Sequence, residues 1–133
     1  MPGRILGAAT SASCAETATL DYVATSVTQP IYIAVNPGIV TWLGGRQRVN
    51  GGAGAQVTFV KCASGVAPAN GVALHTGIFD ASTGGTADAN QVLTLSTNQA
   101  ALTLAPGDCV MAVFAGTLTA AVGLIQCVVE PLT

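Results

Sequence analysis

The stretch from Cys109 to Val129, CVMAVFAGTLTAAVGLIQCVV, holds no charged side chain. A run of this length is either a membrane helix or a pair of buried strands, and the choice decides the class of the whole chain. As a helix its 21 residues would reach about 31 Å, enough to cross a bilayer. Its middle, however, is Gly116, Thr117, Leu118 and Thr119, followed by Gly123, which is poor helix material. No basic residue flanks either end to hold it among headgroups. The two halves, Cys109 to Ala115 and Leu124 to Val129, are rich in Val and Ile, as strands are. In the second half Ile125, Cys127 and Val129 alternate with Gln126, Val128 and Glu130, so one face is wholly apolar. The sequence therefore predicts two antiparallel core strands joined by a turn at GTLTAAVG, and no membrane span.

The rest of the chain reads the same way. Leu20 to Val27 and Pro30 to Val35 are expected strands, and Asn36-Pro37-Gly38 is a turn signal. Ile39 to Val49 is a third, with Gly44-Gly45 expected to form a bulge or bend. Gln56 to Cys62, Gln91 to Ser96 and Ala101 to Leu104 follow, with Leu93, Leu95, Leu102 and Leu104 facing inward. Val72 to Phe79 fits either a helical turn or a strand. Ala105-Pro106-Gly107-Asp108 is a β-turn, with Pro fixing the first central position and Gly allowing positive φ at the second. About eight short strands with regular turn signals predict an all-β single domain at 18–133, in the pattern of a β-sandwich or small barrel, and the sandwich is the expected form. Residues 1–17, MPGRILGAATSASCAET, show no hydrophobic period and read as an extended N-terminal arm.

Composition limits the function. Half the 133 residues are hydrophobic, but only 5% are aromatic and 8% charged. The formal net charge is −2, which leaves no electrostatic footprint for nucleic acid. A surface with so few charges is poorly soluble unless much of it is buried against other subunits. Cys14, Cys62, Cys109 and Cys127 are 48, 47 and 18 residues apart, with no CxxC pair to make a zinc site. No secretory signal precedes them, so reduced thiols and assembly in a cytoplasm are expected.

Individual residues offer little chemistry. His75 is the only histidine; no GxSxG elbow accompanies it, and a strand-end histidine is the plain reading. Asp80 and Asp88 flank a Gly and Thr loop too sparse in oxygen ligands for calcium, and Asp88 reads as a turn residue. NGGAGA at 50–55 lacks the Lys of a phosphate loop and reads as turn chemistry. Arg46 and Arg48 form the densest positive charge, two apart on one strand, so both point to one face. Trp42 shares their parity, provided the double glycine does not break the register. These three residues are the candidate docking contacts, for an acidic partner surface, because Arg and Trp are enriched at interfaces.

From Arg46 to Pro131 the chain resembles the small β-sandwich decoration, or cement, proteins of tailed-bacteriophage heads. The resemblance rests on GRQRVNGGAGAQVTFVKCASGVAPANGVAL, on NQVLTLSTNQAALTLAPGDCVMAVFAGTLTAAVG and on the closing CVVEP. The cysteine content departs from that pattern. The resemblance implies a jelly-roll-like fold, self-association as a homotrimer, and a place on the capsid exterior bound to the major capsid protein. It also implies assembly in the host cytoplasm, with no enzyme activity and no cofactor. A phage tail or fibre-tip module shares the composition but more often carries shaft repeats or heptads. A carbohydrate-binding module would show clustered surface aromatics, and this chain has one Trp and two Tyr.

Overall fold

Every strand pair in the protein follows from one arrangement: a long hairpin rolled into two facing sheets. The computed structural model describes residues 14–132. In chain order the strands are β1 (Glu16–Tyr22), β2 (Gln29–Ile33), β3 (Gly38–Val49), β4 (Gln56–Cys62), β5 (Val72–Ala73), β6 (Phe79–Asp80), β7 (Asn90–Val92), β8 (Thr103–Leu104), β9 (Cys109–Ala115) and β10 (Val122–Pro131). A 3-10 turn at Pro68–Asn70 and one helical turn, α1 (Gln99–Leu102), complete the regular structure. First pairs with last (β1 with β10), second with next to last (β2 with β9), then β3 with β8 and β4 with β5, all antiparallel. The two sheets run β1-β10-β3-β7 and β2-β9-β4-β5, with β8 beside β3 and β6 beside β4. This is a jelly-roll sandwich. The ten strands among the described residues exceed the expected eight because β5 to β8 are pieces of two or three residues.

The uncharged stretch supplies one central strand to each sheet, β9 and β10, linked through Gly116 at φ 77° and Ala120 at φ 65°. Ile125 and Cys127 are fully buried and Val129 nearly so, as their alternation requires. Between the sheets lie Tyr22, Leu43, Phe59, Leu74, Phe79, Leu104 and Val110, all inaccessible to solvent. The Tyr22 ring meets Phe79 edge-on at 5.9 Å and Phe114 at 6.0 Å. Each such side chain contributes about 1.5–3 kcal/mol through removal from water. Burial also pushes the Tyr22 phenol up to about 12, and its buried hydroxyl has no hydrogen-bond partner.

Several expected boundaries move. The first strand is Glu16–Tyr22 rather than Leu20 to Val27, because β10 offers partners from Val129 to Gly123 and the chain turns at Val23, where Ser26 N–H donates to its carbonyl. Of the arm drawn over 1–17, residues 1–13 lie outside the described residues, while Glu16 and Thr17 pair with Val129 and Val128. Val72 to Phe79 is neither a single strand nor a helical turn. It holds β5, an isolated bridge from His75 to Leu95, and the start of β6. Ala101 and Leu102 are helical rather than extended. The Asn98 side chain caps α1 by accepting from Ala100 N–H at 3.0 Å, and Lys61 Nζ donates to the Ala100 and Thr103 carbonyls at 2.8 and 3.0 Å. Leu102 and Leu104 still face inward.

The double glycine is not a bulge. Gly44 and Gly45 pair regularly with Gln126 and Ile125 on one side and with Val92 and Gln91 on the other. The irregularities in β3 fall at Thr41 and Arg48, which have no opposite residue on β10. Glycine is needed at 44 and 45 for close approach: a Cβ at Gly44 would meet the Gln91 carbonyl oxygen and the Trp42 ring, and one at Gly45 the Leu124 carbonyl oxygen.

Candidate functional site

The outer face of the β1-β10-β3-β7 sheet gathers the three residues singled out from the sequence. The Leu43, Gly45 and Gln47 positions of β3 point into the sandwich and are buried, so Trp42, Arg46 and Arg48 project outward. Arg46 and Arg48 line one hollow, floored by Val122, Gly123 and Leu124 and bounded by Asp21 and Val23. Arg46 and Leu124 also belong to a second hollow, with Trp42, Val92 and Gln126. Arg46 therefore stands on the ridge between the two. The Trp42 ring lies along the sheet over Gly44, where a Cβ would come within 2.8 Å of its Cη2. The result is an apolar floor with a polar rim.

Asp88 completes the rim. Its carboxylate lies 3.4 Å from Arg48 Nε and 3.9 Å from Arg46 Nη2, and all three side chains are about half exposed or more. Pairs this exposed contribute at most about 1 kcal/mol. Asp88 is therefore only weakly held by the two guanidinium groups. Arg46 Nη1 also reaches Asn90 Oδ1 at 3.4 Å.

Gln47 holds this loop in place from beneath. Its side chain is wholly buried, and Nε2 donates to Asn50 Oδ1 at 2.6 Å and to the Ser82 carbonyl at 3.4 Å. Asn50 Nδ2 donates in turn to the Gly85 carbonyl at 3.2 Å, and Asp88 N–H donates to the Gln47 carbonyl at 2.6 Å. Gly85 packs so tightly that a Cβ there would sit 2.7 Å from Gln47 Oε1 and 2.8 Å from the Asp80 carbonyl oxygen. Asp88 adopts φ 61°, a left-handed turn that Asp tolerates. Gln47→Leu would strip the loop of its anchor. We expect a loss of about 1–3 kcal/mol, from orphaning Asn50 and the Ser82 carbonyl, and faster amide exchange across 82–90 in hydrogen-exchange measurements.

The other candidates serve the fold. Asp80 Oδ1 accepts from Ser82 N–H at 2.9 Å and Ser82 Oγ–H at 2.6 Å, a local turn. Among the described residues no group of three or more His, Cys, Asp and Glu is placed to hold a metal ion. Nor is any helix there long and apolar enough to cross a membrane. His75 replaces a strand partner: its Nε2 accepts from Phe59 N–H at 2.9 Å, and Nδ1–H donates to the Thr76 carbonyl at 3.0 Å. Its ring meets Phe59 edge-on at 5.7 Å. Burial holds the imidazole below its ordinary value of 6.5, partly offset by the Thr76 carbonyl. The unfolded chain therefore binds this proton more readily, so stability rises with pH here. The contribution is complete above pH 6.5 and is lost as pH falls below it towards the folded value. Thermal melting between pH 7.5 and 5 should show that decline, and His75→Gln should flatten it. An unchanged slope in the variant would remove His75 as the cause.

No protein-family model matches the sequence, and no curated protein does. Two solved structures match the chain. One is a chain of the cyanophage Pam1 capsid asymmetric unit, 15% identical over 90% of this chain and 84% of that one, with a TM-score of 0.50. The other is a chain of Bacillus endospore appendages, disulfide-linked pili, 20% identical over 90% of this chain and 88% of that one, with a TM-score of 0.44. At such identities the likeness to the cyanophage chain concerns the fold, and the chain shares with it a β-sandwich architecture.

Proposed function

We propose that the protein is a structural virion component, a decoration or cement protein that forms a homotrimer and binds the major capsid protein on the outside of a phage head. It is a non-enzymatic role, needs no cofactor and uses no nucleic acid or membrane. The observation that carries this reading is the mismatch between surface and solvent. With 8% charged residues, the sandwich leaves Val27, Ile33, Val35 and Val92 each more than 60% exposed. These side chains lie around the molecule, on the turn after β1, at the end of β2 and on β7. A subunit covered both by its sisters and by a shell satisfies that surface. Stable interfaces bury about 800 Å² per partner, and the monomer exposes 6575 Å², so two interfaces would hide roughly a quarter of it. The capsid origin of the cyanophage structure and the resemblance to head decoration proteins support the same reading.

Trp42, Arg46 and Arg48 are the proposed contacts to the shell, with a capsid carboxylate replacing Asp88. A ligand that binds only the assembled state stabilises it by mass action. Phage heads bearing the protein should therefore disrupt at a higher temperature than heads without it, and the free chain should have the mass of a trimer. Arg46→Glu with Arg48→Glu should leave the trimer intact and weaken attachment by about tenfold or more, since each like-charge contact costs on the order of 1 kcal/mol or above. A monomeric chain that leaves head stability unchanged would overturn the reading.

A further inference from the structure

On the far side of the molecule, β4 and β9 place three sulfur-bearing side chains on neighbouring positions of one sheet face. Cys62 lies directly opposite Cys109 in the pairing of these strands. Met111 is two residues along β9 on the same face, and its Sδ is 3.5 Å from Cys109 Sγ. We propose that Cys62, Cys109 and Met111 form a binding site for a soft monovalent metal ion, Cu(I), held by two thiolates and one thioether.

The type of strand pairing separates this from a disulfide. Phe59 turns both main-chain groups away from β9: its N–H donates to His75 Nε2, and its carbonyl accepts from Leu74 N–H at 3.3 Å. Cys62 is three residues further, so its main-chain groups face β9. Phe114 N–H donates to Thr28 Oγ1 at 3.2 Å, away from β4, and Cys109, five residues earlier, faces β4. The cysteines are thus a hydrogen-bonded pair. Such pairs have Cα atoms about 5.5 Å apart, with Cβ atoms at the wide end of about 4.5–5.5 Å. A disulfide needs Cβ atoms about 3.5–4.5 Å apart, so the strands would have to close up. An ion about 2.3 Å from each sulfur spans the gap with the strands where they are.

The surroundings fit a soft ion. A Cβ at Gly71 would lie 2.9 Å from Cys62 Sγ, so the 64–71 loop roofs that sulfur. Cys109 and Met111 are only partly covered, which leaves a way in from solvent. The cluster holds sulfur ligands and no imidazole or carboxylate, a set that selects Cu(I) over Zn(II) or hard cations. Binding one Cu(I) ion to two thiols displaces their two protons to solvent and leaves the site with one negative charge.

The test uses the full chain with Cys14→Ser, which removes the exposed thiol, titrated anaerobically with Cu(I) against bicinchoninate. One Cu(I) per chain is expected, with a shell of sulfur neighbours in X-ray absorption. Outer-shell substitutions at metal sites already cost about 10–100-fold, so Cys109→Ser and Met111→Leu should weaken binding by at least about tenfold. Both positions are partly exposed, and circular dichroism will verify that the variants fold. Failure to retain copper against the chelator, or retention unchanged by Cys109→Ser, overturns the site. So does closure of a Cys62–Cys109 disulfide in air, read by peptide mapping, because it would show that the strands approach on their own.

Discussion

Gly45→Ala is expected to destabilise the protein by more than about 3 kcal/mol, beyond the usual range for one added methyl group. The new Cβ would fall on the Leu124 carbonyl oxygen, with Ile125 Cα at 2.9 Å and Phe79 Cε2 at 3.0 Å. A phenyl ring can tilt, but the first two atoms are main chain of β10, paired with β3 across the middle of the sheet. Relief requires β10 to move away from β3, breaking pairs on both sides of Ile125. Gly65 supplies the control. It has φ 84° and nothing within 4 Å of an added Cβ, so Gly65→Ala meets only the left-handed penalty of about 1–2 kcal/mol. Urea denaturation of the two variants will separate them. If they lose the same stability, the close approach of β3 and β10 is not what requires Gly45.

The strands that carry strong alternation were legible in the sequence. Ile125, Cys127 and Val129 announced the inward face of β10, and Pro106-Gly107 announced the turn between β8 and β9, where Gly107 has φ 92° and Asp108 N–H donates to the Ala105 carbonyl. What could not be read was governed by partners distant in the chain. β1 starts at Glu16 because Val129 is available to pair with it, 113 positions later in the chain. Tyr32 O–H also donates to Glu16 Oε1 at 2.6 Å, tying β2 to the same edge, and no local pattern signals this. Leu102, Thr103 and Leu104 alternate as a strand would, yet Asn98 and Lys61 cap the segment through Leu102 as a helical turn. Gly44-Gly45 signalled an exception to ordinary strand packing. Its nature depended on how closely Gln91 and Leu124 approach, which is a tertiary fact.

The candidate site was half legible. Parity along β3 placed Trp42, Arg46 and Arg48 on one face, and the pairing stays regular between Trp42 and Arg46. The irregularity at Arg48 does not carry its side chain away, since it lines the same hollow as Arg46. Asp88 read as a turn residue, and its φ of 61° agrees, but its position beside the arginines depends on the 80–90 loop folding back over β3. One local signal did exist. Gln47 lies between two arginines on the opposite parity, so it had to be a buried polar group in need of partners. Those partners, Asn50 and the Ser82 carbonyl, are what fix the loop.

The second large effect concerns Phe79, the ring between the two sheets that meets Tyr22 edge-on and stands where a Cβ at residue 45 would point. Phe79→Ala should cost about 3–5 kcal/mol through lost burial and the cavity left behind. For a domain of this size that lowers the melting temperature by roughly 10–20 °C. Phe79→Leu should recover most of it, since it refills the space without the edge contact to Tyr22. Because β6 is only two residues long and leads directly into the 80–90 loop, the alanine variant should also loosen Asp88 and expose Arg46 and Arg48. The combination with Gly45→Ala tests the account of both sites. Truncating Phe79 removes one of the three atoms an alanine at 45 would strike, and leaves the Leu124 carbonyl oxygen where it is. The double variant should therefore recover at most a small part of the Gly45→Ala loss. Near-complete rescue would show that the aromatic ring, rather than the β10 main chain, is the wall that keeps residue 45 a glycine.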